Sequence, residues 1–141
     1  MPGLSWLKSR RGYWDGPPRV SGRRSAIDRF SFHEVYHIKN ADTLLIAYGV
    51  SARAAKAVFQ EQKRQGKPVS LLVLKTLWPV PENVIRQAAR SARRIVVVEM
   101  NLGQYVAEIK RILPRIPIVF CGQMDGRLIT PARIKEAINN E

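Results

Sequence analysis

Short apolar runs alternate with amphipathic segments from residue 42 onward. Four runs of six or seven residues are rich in Val, Ile and Leu, and they read TLLIAYG, VSLLVLK, RIVVVE and IPIVFCG. Continuous apolar runs of this length are typical of strands that are buried on both faces of a sheet. The pattern therefore predicts strands near residues 43–48, 69–75, 95–99 and 117–121.

Each predicted strand is followed by apolar positions three or four residues apart, which is the spacing of an amphipathic helix. The first helix is predicted to begin with Ser51 as its N-cap and to end at Gly66, since these residue types are favoured at helix ends. The second helix starts near Glu82, and the stretch NLGQ opens the third. Thr130 and Pro131 match the N-cap and first position of a fourth helix.

Four alternations of strand and helix predict an α/β fold: an open, mostly parallel, Rossmann-like sheet with helices on both faces. Right-handed crossovers place the carboxyl ends of the parallel strands on one edge of such a sheet. A working surface of this fold is expected at that edge. Antiparallel hairpins between consecutive strands would contradict the prediction.

Residues 1–40 lack this regularity. They contain the breaker Gly16-Pro17-Pro18 and are rich in Gly, Pro and Arg, a composition that favours turns and loops over regular elements. We therefore divide the chain into a basic N-terminal arm, residues 1–40, and an α/β domain, residues 41–141.

The chain has a formal net charge of +13, with 24 basic and 11 acidic residues. A strongly basic protein is a candidate for nucleic-acid binding. Here the basic residues form only short pairs such as Arg10-Arg11 and Arg93-Arg94, without a basic run or interleaved aromatic residues. This distribution favours a solvated surface, or one that faces an acidic partner subunit. A stand-alone basic nucleic-acid-binding protein remains an alternative.

The single cysteine, Cys121, excludes an internal disulfide and fits a reducing compartment. At a strand end it is expected to act as a small apolar side chain rather than as a nucleophile. No apolar run approaches the ~20 residues that span a membrane, and the N-terminal residues lack the apolar core of a signal peptide. We predict a cytoplasmic protein.

The only two histidines lie in the stretch FSFHEVYHI, where His33, Glu34 and His37 have the spacing H-E-x-x-H. On a helix this spacing could hold zinc. The chain has no third histidine, and the stretch is rich in β-forming residues, so a strand or a short capped helix are alternatives. We expect no zinc site.

Other catalytic motifs are missing from the sequence. There is no G-x-S-x-G, no Walker loop, no G-x-G-x-x-G after the first strand, and no C-x-x-C for an iron–sulfur cluster in this chain. Glu99 closes an apolar strand. It is either a capping or exposed carboxylate at the sheet edge, or a polar contact near a neighbouring active site.

Several long, irregular stretches occur in a fixed order between residues 40 and 141. They are IAYGVSARAAKAV, LLVLKTLWPVPENVIRQAA, IVVVEMNLGQ and LITPARIKEAI. In these stretches the chain resembles the C-terminal, transketolase-C-like domain of the alpha subunits of 2-oxoacid:ferredoxin oxidoreductases. The most specific segments are LKTLWPVPE and VVVEMNLGQ.

This resemblance implies an enzyme that uses thiamine diphosphate and coenzyme A to decarboxylate a 2-oxoacid oxidatively and reduces ferredoxin. Enzymes of that family carry a G-D-G…N diphosphate motif on another subunit or domain. This chain has only Asp125-Gly126, with Asn139 too close to complete the motif. Thiamine diphosphate, magnesium and iron–sulfur clusters are thus implied in partner subunits or domains. The isolated chain is expected to bind none of them and to be inactive.

By this resemblance, the chain is a non-catalytic structural and interface domain that joins thiamine-binding and ferredoxin-type subunits. The alternative within the same fold is the C-terminal domain of another transketolase-like enzyme with a different acceptor. The predicted contacts lie after the second and third strands, with Trp78 as anchor. Otherwise Trp78 fills the local core. The candidate residues are Thr76, Trp78, Glu99, Asn101, Gly103 and Gln104.

Overall fold

The computed structural model describes residues 31–140, which form one sheet with helices on both faces. The five strands are β1 (His33–Tyr36), β2 (Thr43–Tyr48), β3 (Ser70–Leu74), β4 (Arg94–Glu99) and β5 (Ile118–Gly122). The four helices are α1 (Ser51–Arg64), α2 (Glu82–Ala88), α3 (Gln104–Ile112) and α4 (Pro131–Asn139).

The strand order is β1-β3-β2-β4-β5, and β2, β3, β4 and β5 pair in parallel. These four strands confirm the predicted positions to within a residue at each end. The fold class is therefore confirmed as α/β with a mostly parallel sheet. The register places Leu45 of β2 between Leu71 of β3 and Val96 of β4.

Strand β1 lies inside the segment that the sequence assigned to the N-terminal arm. It pairs antiparallel with β3, with Glu34 opposite Val73, and so covers one edge of the sheet. The ordered sheet thus begins before residue 41. The remainder of the arm, residues 1–30, lies outside the described residues, and the division of the chain at residue 40 stays a prediction.

Two apolar layers enclose the sheet. One layer packs Leu44, Ile46 and Val97 against α2 and α3, and the other packs Leu45 and Val96 against α1 and α4. Since successive side chains of a strand point to opposite faces, each central strand contributes to both layers. This explains why its sequence is apolar throughout.

The helix ends agree with the sequence at four of the five predicted positions, among them the stretch NLGQ, which supplies Gly103 as N-cap and Gln104 as first residue of α3. Gly66 has φ +71° just beyond α1, Glu82 begins α2, and Thr130 caps α4 by accepting a hydrogen bond from the backbone N–H of Arg133. The prediction for Ser51 is wrong, because Val50 is the N-cap of α1.

Ser51 is buried and its hydroxyl points back into the sheet. It donates to the carbonyl oxygens of Tyr48 at 2.7 Å and Val98 at 2.9 Å. A hydroxyl that satisfies these strand-end carbonyls is directed away from the helix, so it does not cap it. Ser51 instead joins the ends of β2 and β4.

The amino end of β4 is also joined to a helix. The Arg94 guanidinium donates to the carbonyl oxygens of Ile138 at 2.7 Å and Ala137 at 2.9 Å, and also to that of Asn140. These are carbonyls at the C-terminal end of α4, where a cation is favoured. Arg94 therefore fixes where α4 ends.

None of the helices within residues 31–140 has the length and apolarity that a bilayer crossing needs.

Candidate functional site

The candidate site is the carboxyl edge of the sheet, where the connections leave β2, β3, β4 and β5. Strands β3 and β4 lie on either side of β2, so their ends are about 10 Å apart at the usual strand spacing. The two loops that the sequence singled out, which follow β3 and β4, therefore reach the same edge. Strand β1 runs the other way and begins at this edge.

Glu99, the last residue of β4, is completely buried. Its carboxylate accepts hydrogen bonds from the backbone N–H groups of Tyr105 at 3.1 Å and Val106 at 3.2 Å. It also accepts one from the hydroxyl of Tyr48 at 2.6 Å. Because a carboxylate is favoured at the positive end of a helix, Glu99 acts as the cap of α3. Of the interpretations offered for Glu99, capping is correct and solvent exposure is wrong.

Asn101 continues the same network. Its Nδ2 donates to the Tyr48 hydroxyl at 2.6 Å, and its Oδ1 accepts from the backbone N–H groups of Gly103 at 2.8 Å and Gln104 at 3.3 Å. We call Tyr48, Glu99 and Asn101 the polar brace. It holds the connection between β4 and α3 in one conformation.

Gly103 is required by the backbone at the start of α3. Its φ is +94°, in the left-handed region that favours glycine. A Cβ at this position would lie 3.1 Å from Cγ1 of Val106. Glycine at this position therefore allows the backbone to turn into α3.

The phenols of the site are held in the protonated state. Burial, together with the hydrogen bond to Glu99 and its negative charge, raises the pKa of Tyr48 far above its usual value. Burial, followed by the charge of Glu108, raises the pKa of Tyr105 to about 12. The two rings touch edge to face with centroids 5.3 Å apart. At neutral pH both phenols therefore keep their protons, and the Tyr48 hydroxyl remains the donor to Glu99.

Exposed apolar side chains are concentrated on this edge. Trp78, after β3, is 70% exposed, and Leu102, after β4, is 78% exposed. The large hydrophobic side chains that are exposed within residues 31–140 lie on connections at this edge, except Phe120, which is the middle residue of β5 and whose ring extends beside Gly122 and Gly103. We call this set the apolar edge: Phe32, Val50, Trp78, Leu102, Phe120, Met124 and Leu128.

The alternative that Trp78 plugs the core is wrong. Val80 is buried in the layer beneath α2 and Leu77 packs against it, so that space is filled without the indole. The peptide bond between Trp78 and Pro79 is cis. The Trp78 side chain is 70% exposed, as that of an interface anchor would be.

Thr76 joins the start of β1 to the end of β3. Its Oγ1 accepts from the N–H of Phe32 at 3.0 Å, and its own N–H donates to the Phe32 carbonyl at 3.1 Å. Gln104 is exposed at the first position of α3. Of the six candidate residues, Trp78 and Gln104 are thus exposed, Glu99 is fully buried, and the others are half-buried.

A shallow cleft of about 440 Å³ opens between the ends of β2 and β3. Two of its walls are the Lys56 and Lys75 side chains, which bind the Glu34 carboxylate at 2.7 and 2.6 Å. Burial alone would raise the pKa of Glu34, but hydrogen bonds from Lys56, Lys75 and Tyr36 outweigh it and lower the pKa to about 2. The cleft is lined by Tyr48, Gly49, Ala52, Lys56, Val73, Leu74, Lys75 and Leu77.

The H-E-x-x-H spacing does not occur on a helix. His33 and Glu34 are neighbours on strand β1, which ends before His37, so His33 and Glu34 point to opposite faces. Glu34 is engaged by two lysines and by the Tyr36 hydroxyl at 2.6 Å. Within residues 31–140 no group of three or more His, Cys, Asp or Glu side chains could hold a metal.

The described residues do not fit a diphosphate or an iron–sulfur cluster. Asp125 is exposed, and its Oδ1 accepts from Gln123 Nε2 at 2.8 Å and from the Arg127 N–H at 3.0 Å, within its own loop. Cys121 is buried and its sulfur faces the Arg133 carbonyl oxygen at 4.0 Å. That the chain carries no cofactor stays a prediction, supported by this donor set.

Sequence reasoning missed Leu102 and the link between Tyr48 and Glu99. Leu102 lies between Asn101 and Gly103, and both neighbours are committed to the turn, which leaves the leucine to project. An apolar residue inside an Asn-x-Gly turn is a signal that could have found it. The Tyr48–Glu99 hydrogen bond joins residues 51 positions apart, and no local pattern reveals it.

Comparison with known proteins agrees with this architecture. The profile of the family "Pyruvate:ferredoxin oxidoreductase core domain II" matches residues 41–134. The 2-oxoglutarate synthase subunit KorA of Methanothermobacter marburgensis is 38% identical over 73 residues, which cover 52% of this chain and 20% of the relative. The ketoisovalerate oxidoreductase subunit VorB of Methanothermobacter thermautotrophicus is 31% identical over 106 residues, which cover 75% of this chain and 30% of the relative.

Two solved structures share the fold. A 2-oxoglutarate:ferredoxin oxidoreductase from Magnetococcus marinus, with 2-oxoglutarate, coenzyme A and succinyl-CoA bound, matches 82% of this chain and 21% of that chain, with a TM-score of 0.69 and 23% identity. A split-gene transketolase, an inactive beta4 tetramer, matches 71% of this chain and 38% of that chain, with a TM-score of 0.62 and 18% identity. This chain thus spans less than a third of the length of the two relatives named above.

Proposed function

Because the chain belongs to the pyruvate:ferredoxin oxidoreductase core domain II family, we propose that it is the non-catalytic interface domain of a 2-oxoacid:ferredoxin oxidoreductase. The assembled enzyme decarboxylates a 2-oxoacid oxidatively to an acyl-CoA, with ferredoxin as the electron acceptor. The part of this chain is to present the apolar edge to the subunit that binds thiamine diphosphate.

The observation that carries the proposal is the concentration of exposed apolar side chains on one edge of the sheet. Contiguous exposed apolar surface on a soluble domain marks sites of interaction. Large aromatic and aliphatic anchors surrounded by polar groups are the usual centres of protein interfaces. Trp78 and Leu102 are the most exposed of the set, so we assign them the role of anchors.

The polar brace has a positioning role in this proposal. Glu99 and Asn101 use their polar atoms within the fold, so they hold the turn that projects Leu102. Thr76 does the same for the turn that carries Trp78, through its bonds to Phe32. Gln104 is exposed and supplies a polar contact at the rim.

Thiamine diphosphate, magnesium and iron–sulfur clusters belong to the partner subunits in this proposal. The described residues support this placement, since within residues 31–140 no group of three or more His, Cys, Asp or Glu side chains could hold a metal. The relatives are named as subunits, which supports an assembly of several chains. The single cysteine supports placing that assembly in the cytoplasm.

The test is co-expression of the chain with the subunit from the same organism that carries the G-D-G…N motif. We expect a stable complex, with 2-oxoacid-dependent reduction of a viologen dye once the remaining subunits are added. Trp78→Ala and Leu102→Ala should each weaken assembly by about 2 kcal/mol, which is roughly thirtyfold in Kd. Titration of the labelled chain with the partner subunit measures the change.

Gln60→Ala is the matched control, because Gln60 is exposed on α1 and lies outside the apolar edge. It should assemble like the unaltered chain. Failure to bind the thiamine-binding subunit would overturn the proposal. So would micromolar binding of thiamine diphosphate to the isolated chain, measured by calorimetry.

A further inference from the structure

The opposite edge of the sheet, where the strands begin, has a different surface. We call it the basic edge. It consists of the connections that lead into β2, β3, β4 and β5, together with the last turn of α1. Its exposed cations are Lys39, Lys63, Arg64, Lys67, Arg90, Arg93 and Arg115.

Negative charge is nearly missing from these connections. Within residues 31–140, the acidic side chains of this edge are Glu61 in the last turn of α1, which Lys135 binds at 2.9 Å, and Asp42, which lies 3.8 Å from Arg93 with both groups highly exposed. An ion pair so exposed is screened by solvent and contributes little. No ion pair within the described part of the chain involves Lys67, Arg90 or Arg115. The basic edge therefore keeps a concentrated positive potential.

Hydrogen bonds hold neighbouring connections of this edge together. Arg93 and Arg94 donate backbone N–H groups to the Asp42 carbonyl at 2.8 and 3.1 Å, and Ile95 donates to the Pro117 carbonyl at 2.9 Å. The connections that carry the cations thus follow the sheet from one strand to the next, and neighbouring strands are about 5 Å apart. Cations carried on connections that are bonded to one another are suited to a complementary set of anions on a partner.

The chemistry favours an acidic protein over a nucleic acid. The exposed Phe and Trp side chains of residues 31–140, namely Phe32, Trp78 and Phe120, all belong to the apolar edge, whereas the exposed ring of the basic edge is the imidazole of His37. Within the described residues the basic edge thus offers one imidazole and no Phe, Tyr or Trp ring, so it lacks the series of aromatic platforms on which successive bases stack. It also consists of loops and the last turn of α1, a helix that packs on the sheet, so no helix or strand projects from it to enter a groove. Carboxylates on a folded surface are the anions it fits.

We propose that the basic edge is a second interaction surface that binds an acidic protein. This role is separate from the subunit contact at the apolar edge. A domain with these two surfaces joins two different partners at its opposite ends, one through apolar contact and one through charge. The charged contact forms fast and weakens with salt, as electrostatically steered associations do.

The experiment compares two double variants that remove the same charge from opposite edges. Lys67→Glu with Arg90→Glu changes the basic edge, and Arg53→Glu with Arg127→Glu changes exposed cations near the apolar edge. The probes are fluorescent poly-L-glutamate and a DNA duplex of equal total charge. Binding to the full chain is measured by anisotropy at low and physiological salt.

We expect the basic-edge variant to bind poly-L-glutamate about tenfold more weakly and the other variant to stay within about twofold of the unaltered chain. The duplex should bind less tightly than poly-L-glutamate. Equal losses in both variants would overturn the proposal, since net charge alone would explain them. So would no binding of poly-L-glutamate at low salt. Tighter duplex binding that depends on the basic edge would also overturn it and make nucleic acid the partner.

Discussion

The two ends of strand β4 show how differently the two edges of the sheet are built. Glu99 at the carboxyl end binds the N-terminus of α3, and Arg94 at the amino end binds the C-terminus of α4. Each charge matches the dipole of the helix it meets. Glu99 is completely buried, whereas Arg94 is partly exposed. The charged side chain that binds a helix end is therefore shielded from water at the apolar edge and partly exposed to water at the basic edge.

The two edges differ in how rigidly their surface side chains are held. The apolar edge has a buried network that fixes its turns, and its exposed side chains are large and apolar. The basic edge has exposed cations on loops. Apolar contacts depend on shape complementarity, while charge attraction acts over several ångströms and tolerates imprecise placement. The construction of each edge suits the kind of contact proposed for it.

The largest expected effect comes from removing the buried carboxylate. Glu99→Ala would leave the N–H groups of Tyr105 and Val106 and the Tyr48 hydroxyl buried without an acceptor. Each unsatisfied donor costs about 1–3 kcal/mol, and we expect a total loss of about 3–5 kcal/mol in the free energy of unfolding. Urea denaturation followed by circular dichroism measures it.

Glu99→Gln is the matched control, since it keeps one acceptor oxygen in the same space. It should lose roughly half as much stability. A loss below about 1 kcal/mol for Glu99→Ala would mean that the brace does not hold the edge.

At the other end of β4, Arg94→Ala should cost less, about 1–2 kcal/mol. The carbonyls it serves lie near the surface and can turn to water, so the loss is that of the charged hydrogen bonds themselves. Arg93→Ala, next to it and highly exposed, is the control and should stay within about 0.5 kcal/mol. If Arg94→Ala destabilised the chain as much as Glu99→Ala, the comparison of the two edges would fail.

Glu34 binds the cations Lys56 and Lys75, so its removal shows what paired cations contribute to stability. Its folded pKa of about 2 lies below the ordinary value of 4.5. Its bonds to Lys56 and Lys75 therefore stabilise the fold above pH 4.5, and this stability is lost as the pH falls from 4.5 to about 2. For these partly exposed pairs we expect about 1 kcal/mol.

Glu34→Gln is the test of that assignment. It should lower the stability at pH 7 and remove this part of the acid dependence. Stability curves of the two proteins, measured by urea denaturation, should converge below pH 2. Parallel curves across the whole acid range would show that Glu34 contributes nothing.

The smallest effect on stability is expected where the effect on assembly is largest. Trp78→Ala and Leu102→Ala should each change the free energy of unfolding by less than about 0.5 kcal/mol, because both side chains are mostly exposed. Thermal melts of the isolated chain measure this. A loss of several kcal/mol for Trp78→Ala would indicate that the indole packs in the fold and would remove it as an anchor.

The sequence predicted the parallel strands well because strands buried on both faces are continuous apolar runs. It left β1 open between a strand and a short capped helix, because the four residues HEVY are all half-buried and mix polar with apolar side chains. A short edge strand of this kind is defined by its partner. Only the pairing with β3, some 40 residues away, decides between strand and helix for this stretch.

The candidate site was predicted in position but not in detail. Parallel topology alone brings Trp78 and Asn101 to one edge. The burial of Glu99 depends on the next helix starting close enough for its N–H groups to reach the carboxylate. Likewise, whether Asn101 faces a partner or its own turn depends on Tyr48, which lies more than 50 residues away in the chain.

The antiparallel direction of β1 has a consequence for gene fusion. Because β1 starts at the apolar edge, where Phe32 bonds to Thr76, a protein joined upstream of residue 31 by a short linker would be tethered beside that edge. Its effective concentration there would reach about the millimolar range. A protein joined after α4 would be tethered instead beside the basic edge, where Arg94 holds the last carbonyls of that helix. The order in which domains are fused would thus select which surface each of them meets.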